Sequence, residues 1–243
     1  MPMIDSQKLF RIWEAGLDRP PLARTVAILR AAGAAGASGD PAALSIGARD
    51  LELLALREQA FGRDLDGVAN CPECAEALEV RFRTDDVRLP ATAPSAPLSL
   101  ESEGYAVSFR LPSSADLLSI EFIGDAEEDG RRILQRCVSE ATLDGTPIAA
   151  SALPEELQES VARAMAAADP QAEVELSLQC PVCTRHWAEI FDIESFFWTE
   201  LQAWATRLLR EIHQLASAYG WSEQEILALP PLRRHIYLNL IAE

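Results

Sequence analysis

Four of the chain's five cysteines fall in two short stretches of one form, Cys71-Pro72-Glu73-Cys74 and Cys180-Pro181-Val182-Cys183. Two thiols three positions apart on a tight turn can hold one soft cation between them. Two such turns supply the four thiolates of a closed, tetrahedral structural zinc site. The spacing therefore predicts one zinc per chain on Cys71, Cys74, Cys180 and Cys183. The other readings of the same residues are inert reduced thiols, a pair of disulfides, or a dithiol redox centre. Neither pair opens a helix after a strand, as the thioredoxin-type arrangement does, which disfavours the last. In many such knuckles glycine follows the second cysteine, where positive φ is easiest; here Ala75 and Thr184 stand there, so the turn is expected at some strain.

These cysteines must be carried by hairpins. Leu65 to Ala69 and Ala77 to Phe82 flank the first pair, and Val174 to Leu178 and Trp187 to Phe191 flank the second; each set reads as two strands with a knuckle at the tip. The long segment 75–179 between the pairs makes the site a clasp joining distant parts of the chain, not a compact ribbon.

Helices are expected around this pair. Asp5 or Ser6 caps a first helix with Leu9, Ile12 and Trp13 on one face and Gly16 as its stop. Pro20-Pro21 starts a second, striped by Leu22, Val26 and Leu29. A loop is expected over 31–41, and Ser45 opens a third helix that ends at Gly62. The Pro-, Ser- and Ala-rich stretch from Asp85 to Glu103 reads as a linker. A strand carrying Tyr105, Val107 and Phe109 follows, then a helix capped by Ser113 or Ser114. The acidic run from Asp125 to Asp129 reads as a solvated turn, ahead of helices over 131–140 and 154–168. Leu201, Trp204, Leu208, Ile212, Leu215 and Tyr219 stripe a long helix over 194–219, closed by Gly220. Ser222 and Glu225 form a capping box for a short helix, and Pro230-Pro231 separates it from the last.

The expected class is thus α+β, with helical N- and C-terminal segments around a split zinc-ribbon-like pair of β-hairpins. The expected division is a helical segment 1–62, a first hairpin 63–84, a linker 85–104, a strand-and-helix unit 105–170, a second hairpin 171–193 and C-terminal helices 194–243.

Charge narrows the function. The 243 residues carry 21 basic and 38 acidic side chains, a net charge of −17. So acidic a surface repels phosphate backbones, and no nucleic-acid partner is expected. No run approaches a membrane-spanning length and no signal segment opens the chain, so no membrane partner and a cytoplasmic location are expected. His186, three residues after Cys183, reads as a strand residue, not a ligand. His213 and His235 have no carboxylate placed for a relay. Cys137, on a helix after Leu134, reads as a small buried hydrophobe. Trp198, Trp204 and Trp221 suit either a partner surface or the core. No phosphate-binding loop, nucleophile elbow or zinc-protease motif occurs, and four thiolates leave no open metal position. No catalytic residue and no small-molecule substrate are expected.

The helix Asp50-Leu-Glu-Leu-Leu-Ala-Leu-Arg-Glu-Gln-Ala-Phe-Gly62, the strand into Cys71-Pro-Glu-Cys74 and the later Phe109-Arg-Leu-Pro112 resemble the T4-type phage baseplate hub assembly protein family. Tyr219-Gly-Trp-Ser-Glu-Gln-Glu-Ile226, Pro231-Leu-Arg-Arg234 and Tyr237-Leu238 are similar to the ends of homologues from contractile injection gene clusters. The resemblance covers roughly residues 20 to 240. It implies a non-enzymatic baseplate component or assembly factor whose partners are other baseplate or hub proteins, incorporated in the tail or injection particle or acting during its assembly. Two alternatives from other classes are a zinc-ribbon adaptor of a nucleic-acid or transcription machine and a thiol oxidoreductase using one of the cysteine pairs.

Overall fold

A computed structural model describes residues 4–34, 39–90, 98–120 and 124–242. Three helices open it: α1 (Ser6–Gly16), α2 (Pro21–Ala32) and α3 (Ile46–Phe61). Asp5 caps α1 by accepting from the Lys8 N–H, and Ser45 caps α3 by accepting from Ala48. The first hairpin follows as β1 (Asp64–Asn70) and β2 (Ala77–Arg83), the second as β7 (Glu175–Gln179) and β8 (His186–Ile190). Each is an isolated two-stranded antiparallel ribbon. The C-terminal part is α7 (Ile193–Tyr219), α8 (Glu223–Ala228) and α9 (Pro231–Ala242). The expected α+β architecture, with helical ends and a pair of hairpins, is what the structure shows.

Helix α7 organises the larger core. Phe197, Leu201, Ala205, Leu208, Ile212 and Leu215 are buried along one face at spacings of three and four. They meet Leu9 and Ile12 of α1, Leu29 of α2, Leu53 and Leu54 of α3 and Ile226 of α8. The centre of the stripe is Ala205, while Trp204 packs half-buried beside it and Tyr219 is exposed. A small residue there lets neighbouring helices approach closely. Trp198 and Trp221 also pack against this core, so all three candidate partner tryptophans are at least partly used internally. Trp13 is buried and donates from Nε1 to Gln202 Oε1 at 2.8 Å.

A second core lies between the hairpins in sequence. Its sheet is β3 (Leu98–Ser102), β4 (Tyr105–Phe109), β5 (Val138–Leu143) and β6 (Thr146–Pro147), in that order, with α4 (Ser114–Leu118), α5 (Ala126–Cys137) and α6 (Glu155–Ala168). Val107, Phe109, Leu134, Cys137, Val161 and Met165 fill it. Cys137 is fully buried, and burial pushes its thiol up to about 11, as suits an inert hydrophobe. Asp116 is buried beneath a two-bond fork from Arg110, at 2.6 and 2.7 Å, and also accepts from the N–H and hydroxyl of Ser113. The fork and these donors hold its carboxyl far below the usual carboxylate range.

Four expectations are corrected here. Part of the linker read over 85–103 is strand β3, because Leu98 and Leu100 alternate inward against β4; residues 91–97 lie outside the described set. The acidic run 125–129 is not a turn but the start of α5. Asp125 caps it by accepting from Glu127 and Glu128, and the remaining acids sit at the positive end of the helix dipole. The helix expected over 131–140 ends at Cys137, where Val138 turns extended and opens β5. The loop expected over 31–41 includes the end of α2 and residues 35–38 outside the described set.

The two cores are tied by polar contacts. The Gly47 N–H at the start of α3 donates to Asp169 Oδ2 at 2.9 Å. Gln171 accepts from the Leu89 N–H and donates to the Val87 carbonyl. The first hairpin thereby leans on the segment that leads into the second.

Candidate metal centre

Both knuckles are built alike. In β1–β2 the ladder runs in register to Asn70↔Ala77, and in β7–β8 to Gln179↔His186, so each tip is the six-residue stretch 71–76 or 180–185. The Cys71 N–H donates to the Glu76 carbonyl and the Ala75 N–H to the Cys71 carbonyl, both at 2.9 Å. The second tip repeats this: Cys180 N–H to Arg185 at 2.9 Å and Thr184 N–H to Cys180 at 3.0 Å. This tight turn needs a left-handed residue after the second cysteine. Ala75 at φ 59° and Thr184 at φ 63° supply it, at about 1 kcal/mol each for a residue with a Cβ. The expected strain is present at both positions.

The two tips face one another. Cys71 Sγ lies 3.5 Å from Cys183 Sγ, and Cys74 Sγ lies 3.6 Å from Cys180 Sγ. All four sulfurs lie within 4.8 Å of one another. A tetrahedral site with metal–sulfur bonds of about 2.3 Å needs sulfur–sulfur edges of about 3.8 Å, so the spacing fits a single ion. Cys71 and Cys180, the first cysteine of each knuckle, are buried, whereas Cys74 is exposed and Cys183 half-buried. Among the described residues this is the one cluster of three or more potential ligands that could hold a metal ion. His186 sits exposed at the start of β8 and is not part of it.

Electrostatics point the same way. Burial opposes ionisation of Cys71, but N–H groups of Cys74 and Glu73 and the nearby sulfurs outweigh it and bring the thiol down to about 7. Cys74 receives the Glu76 N–H, yet burial and the three other sulfurs push it up to about 12. Cys183 is also raised, the Arg185 N–H notwithstanding. One thiolate forms readily in this cluster, and its charge then opposes the next. A divalent cation at the centre removes that conflict, since it neutralises the charges the sulfurs would otherwise impose on each other. The donor set therefore fits a metal.

The hairpins are also held together below the tips. Phe82 of β2 meets Phe191 edge-on at 5.3 Å between centroids, and Phe196 of α7 packs on both. Arg57 of α3 forms a two-bond fork to Glu200 of α7, at 2.8 and 2.6 Å, and donates to the Gly62 carbonyl just before β1. The sequence pattern did not single out these second contacts. The only signal for them is the aromatic pair Phe191 and Phe196 flanking the start of α7.

The profile of the family described as T4 bacteriophage base plate protein matches residues 34–198 of this chain. That span contains α3, both hairpins and the whole second core. No curated protein and no solved structure matches the chain.

Proposed function

The chain belongs to the T4 bacteriophage base plate protein family, and from that membership we propose a non-enzymatic structural or assembly component of the baseplate of a contractile phage tail or injection system. Its partners are other baseplate or hub proteins. It is made in the cytoplasm and then either stays in the particle or acts, chaperone-like, while the particle forms. Cys71, Cys74, Cys180 and Cys183 hold one structural zinc, which crosslinks the hairpins 63–84 and 171–193 and so fixes the helical ends relative to each other.

The observation that carries the reading is the convergence of the two knuckles on one four-sulfur cluster within the family-matched span. A closed four-thiolate site leaves no position for substrate or activated water. The net charge of −17 supports protein partners over nucleic acid.

The test is deletion of the gene in a producing strain, with mass spectrometry of purified wild-type particles. Loss of baseplates together with presence of the chain in particles supports a structural component. Loss with absence from particles supports an assembly factor. Normal particles after deletion overturn both. Metal content of the chain purified without added zinc, near one per chain with four thiols protected until chelation, tests the site independently.

A further inference from the structure

Helix α9 is anchored firmly by one face and bare on the other. The buried Arg234 pairs with Glu211 of α7 at 3.3 Å and donates to the Leu229 carbonyl at 2.9 Å. Tyr237 packs edge-on against Trp221 at 4.9 Å and Tyr219 at 5.6 Å. These contacts fix the rotation of α9 about its axis. On the opposite side, Leu232, Ile236 and Leu240 recur every four residues, within an arc of about 80°. Their exposures are 72%, 49% and 56%. A rigidly presented apolar line of this kind marks a contact surface.

We propose that this line is where two copies of the chain pair, α9 against α9, antiparallel about a two-fold axis through Ile236. The spacing is symmetric about Ile236, so an antiparallel partner sets Leu232 against the partner's Leu240 and Ile236 against the partner's Ile236. Such a surface is self-complementary, as a two-fold contact requires. Charge favours the same face. The chain as a whole carries −17 and repels its own copies, yet Pro231–Ala242 holds no acidic residue, and with Arg234 buried against Glu211 the exposed Arg233 remains at its start. Antiparallel pairing also brings Arg233, beside the positive start of its own helix, to the negative end of the partner's helix. A twelve-residue helix is about 18 Å long, which keeps the contact below the roughly 1,600 Å2 of a standard interface. The dimer is accordingly concentration-dependent. It strengthens with salt, which screens the net repulsion. This inference rests on α9, outside the family-matched span, and stands or falls apart from the baseplate reading.

The experiment is sedimentation velocity of the intact chain across the micromolar range, at low and moderate salt, with Ile236→Glu beside it. The native chain should shift from monomer to dimer with concentration, and more so with salt. The variant should dimerise at least tenfold more weakly, with unchanged far-UV circular dichroism and melting. If the variant misfolds, hydrogen exchange of residues 231–242 in the native chain decides: protection should rise with protein concentration. A native chain that is monomeric throughout, a variant that dimerises as well as the native chain, or exchange independent of concentration overturns the proposal. The first result would leave the stripe to a different protein.

Discussion

Arg57 and Glu200 lie 143 positions apart and meet in a two-bond fork of 2.8 and 2.6 Å, with the arginine side chain only 3% exposed. The fork joins α3, which feeds the first hairpin, to α7, which leaves the second. The hairpins are thus brought together by the helices that flank them as well as by their tips. Glu200→Ala would strand a buried guanidinium with, among the described residues, only the Gly62 carbonyl as acceptor. We expect a loss of about 3 kcal/mol in urea denaturation, with about one zinc per chain retained. Loss of zinc binding in this variant would show that the fork, not the cysteines alone, sets the site.

Cys74→Ser and Cys180→Ser remove sulfurs that sit 3.6 Å apart on different hairpins. Each should cost about 3–5 kcal/mol, the scale of opening a crosslink across roughly a hundred residues. The double variant should cost little more than either single one, because the first change already opens the clasp. Losses that simply sum would mean that the two cysteines do not share an ion. Chelation of the native chain should lower its melting temperature towards that of the single variants and expose four thiols to titration.

Asp50 is buried beside Arg49, which pairs with it at 2.7 Å, and faces Glu194 and Asp192 at the start of α7. Burial outweighs Arg49, the two acids add to it, and the carboxyl is raised to about 6. Between the unfolded value near 3.9 and about 6, the folded chain holds a proton that the unfolded chain has lost. Stability from this group therefore falls as pH rises through that window and is level above it. The decline is on the order of 2–3 kcal/mol. Asp116, held low by Arg110, slopes the other way at lower pH. The quantity to measure is thus the native chain minus Asp50→Asn in urea denaturation from pH 4 to 7. A difference that stays flat across the window rejects the buried-carboxylate account.

Gly47 sits where α3 touches the segment before β7. A Cβ there would lie 2.1 Å from Asp169 Oδ1 and 2.9 Å from the Ala172 backbone nitrogen. The backbone contact cannot be relieved by a side-chain rotation, so Gly47→Ala should cost about 1–3 kcal/mol. It should also loosen the Gly47–Asp169 hydrogen bond that ties the two cores. Unchanged melting would mean that this junction yields freely.

The duplicated cysteine spacing, the hairpins and most helix ends were legible because their causes are local. A CPxC tip between alternating strands, Ser45 before α3, the Ser222–Glu225 box and Gly220 after α7 each act within a few residues. Charge and composition likewise need no fold. Where local cues competed, sequence reading failed: the acids of 125–129 suit a turn and a helix start equally, and Leu98–Ser102 gains strand identity only by pairing with β4. Tertiary structure alone decided that Ala205 sits at the centre of α7's buried face, and that Arg57 finds Glu200. It also decided that the outward line of α9 is Leu232, Ile236 and Leu240, because the anchoring of Arg234 and Tyr237 sets which way the helix is turned. The convergence of the four sulfurs belongs to both levels. Spacing made two half-sites, and packing across some hundred residues made them one.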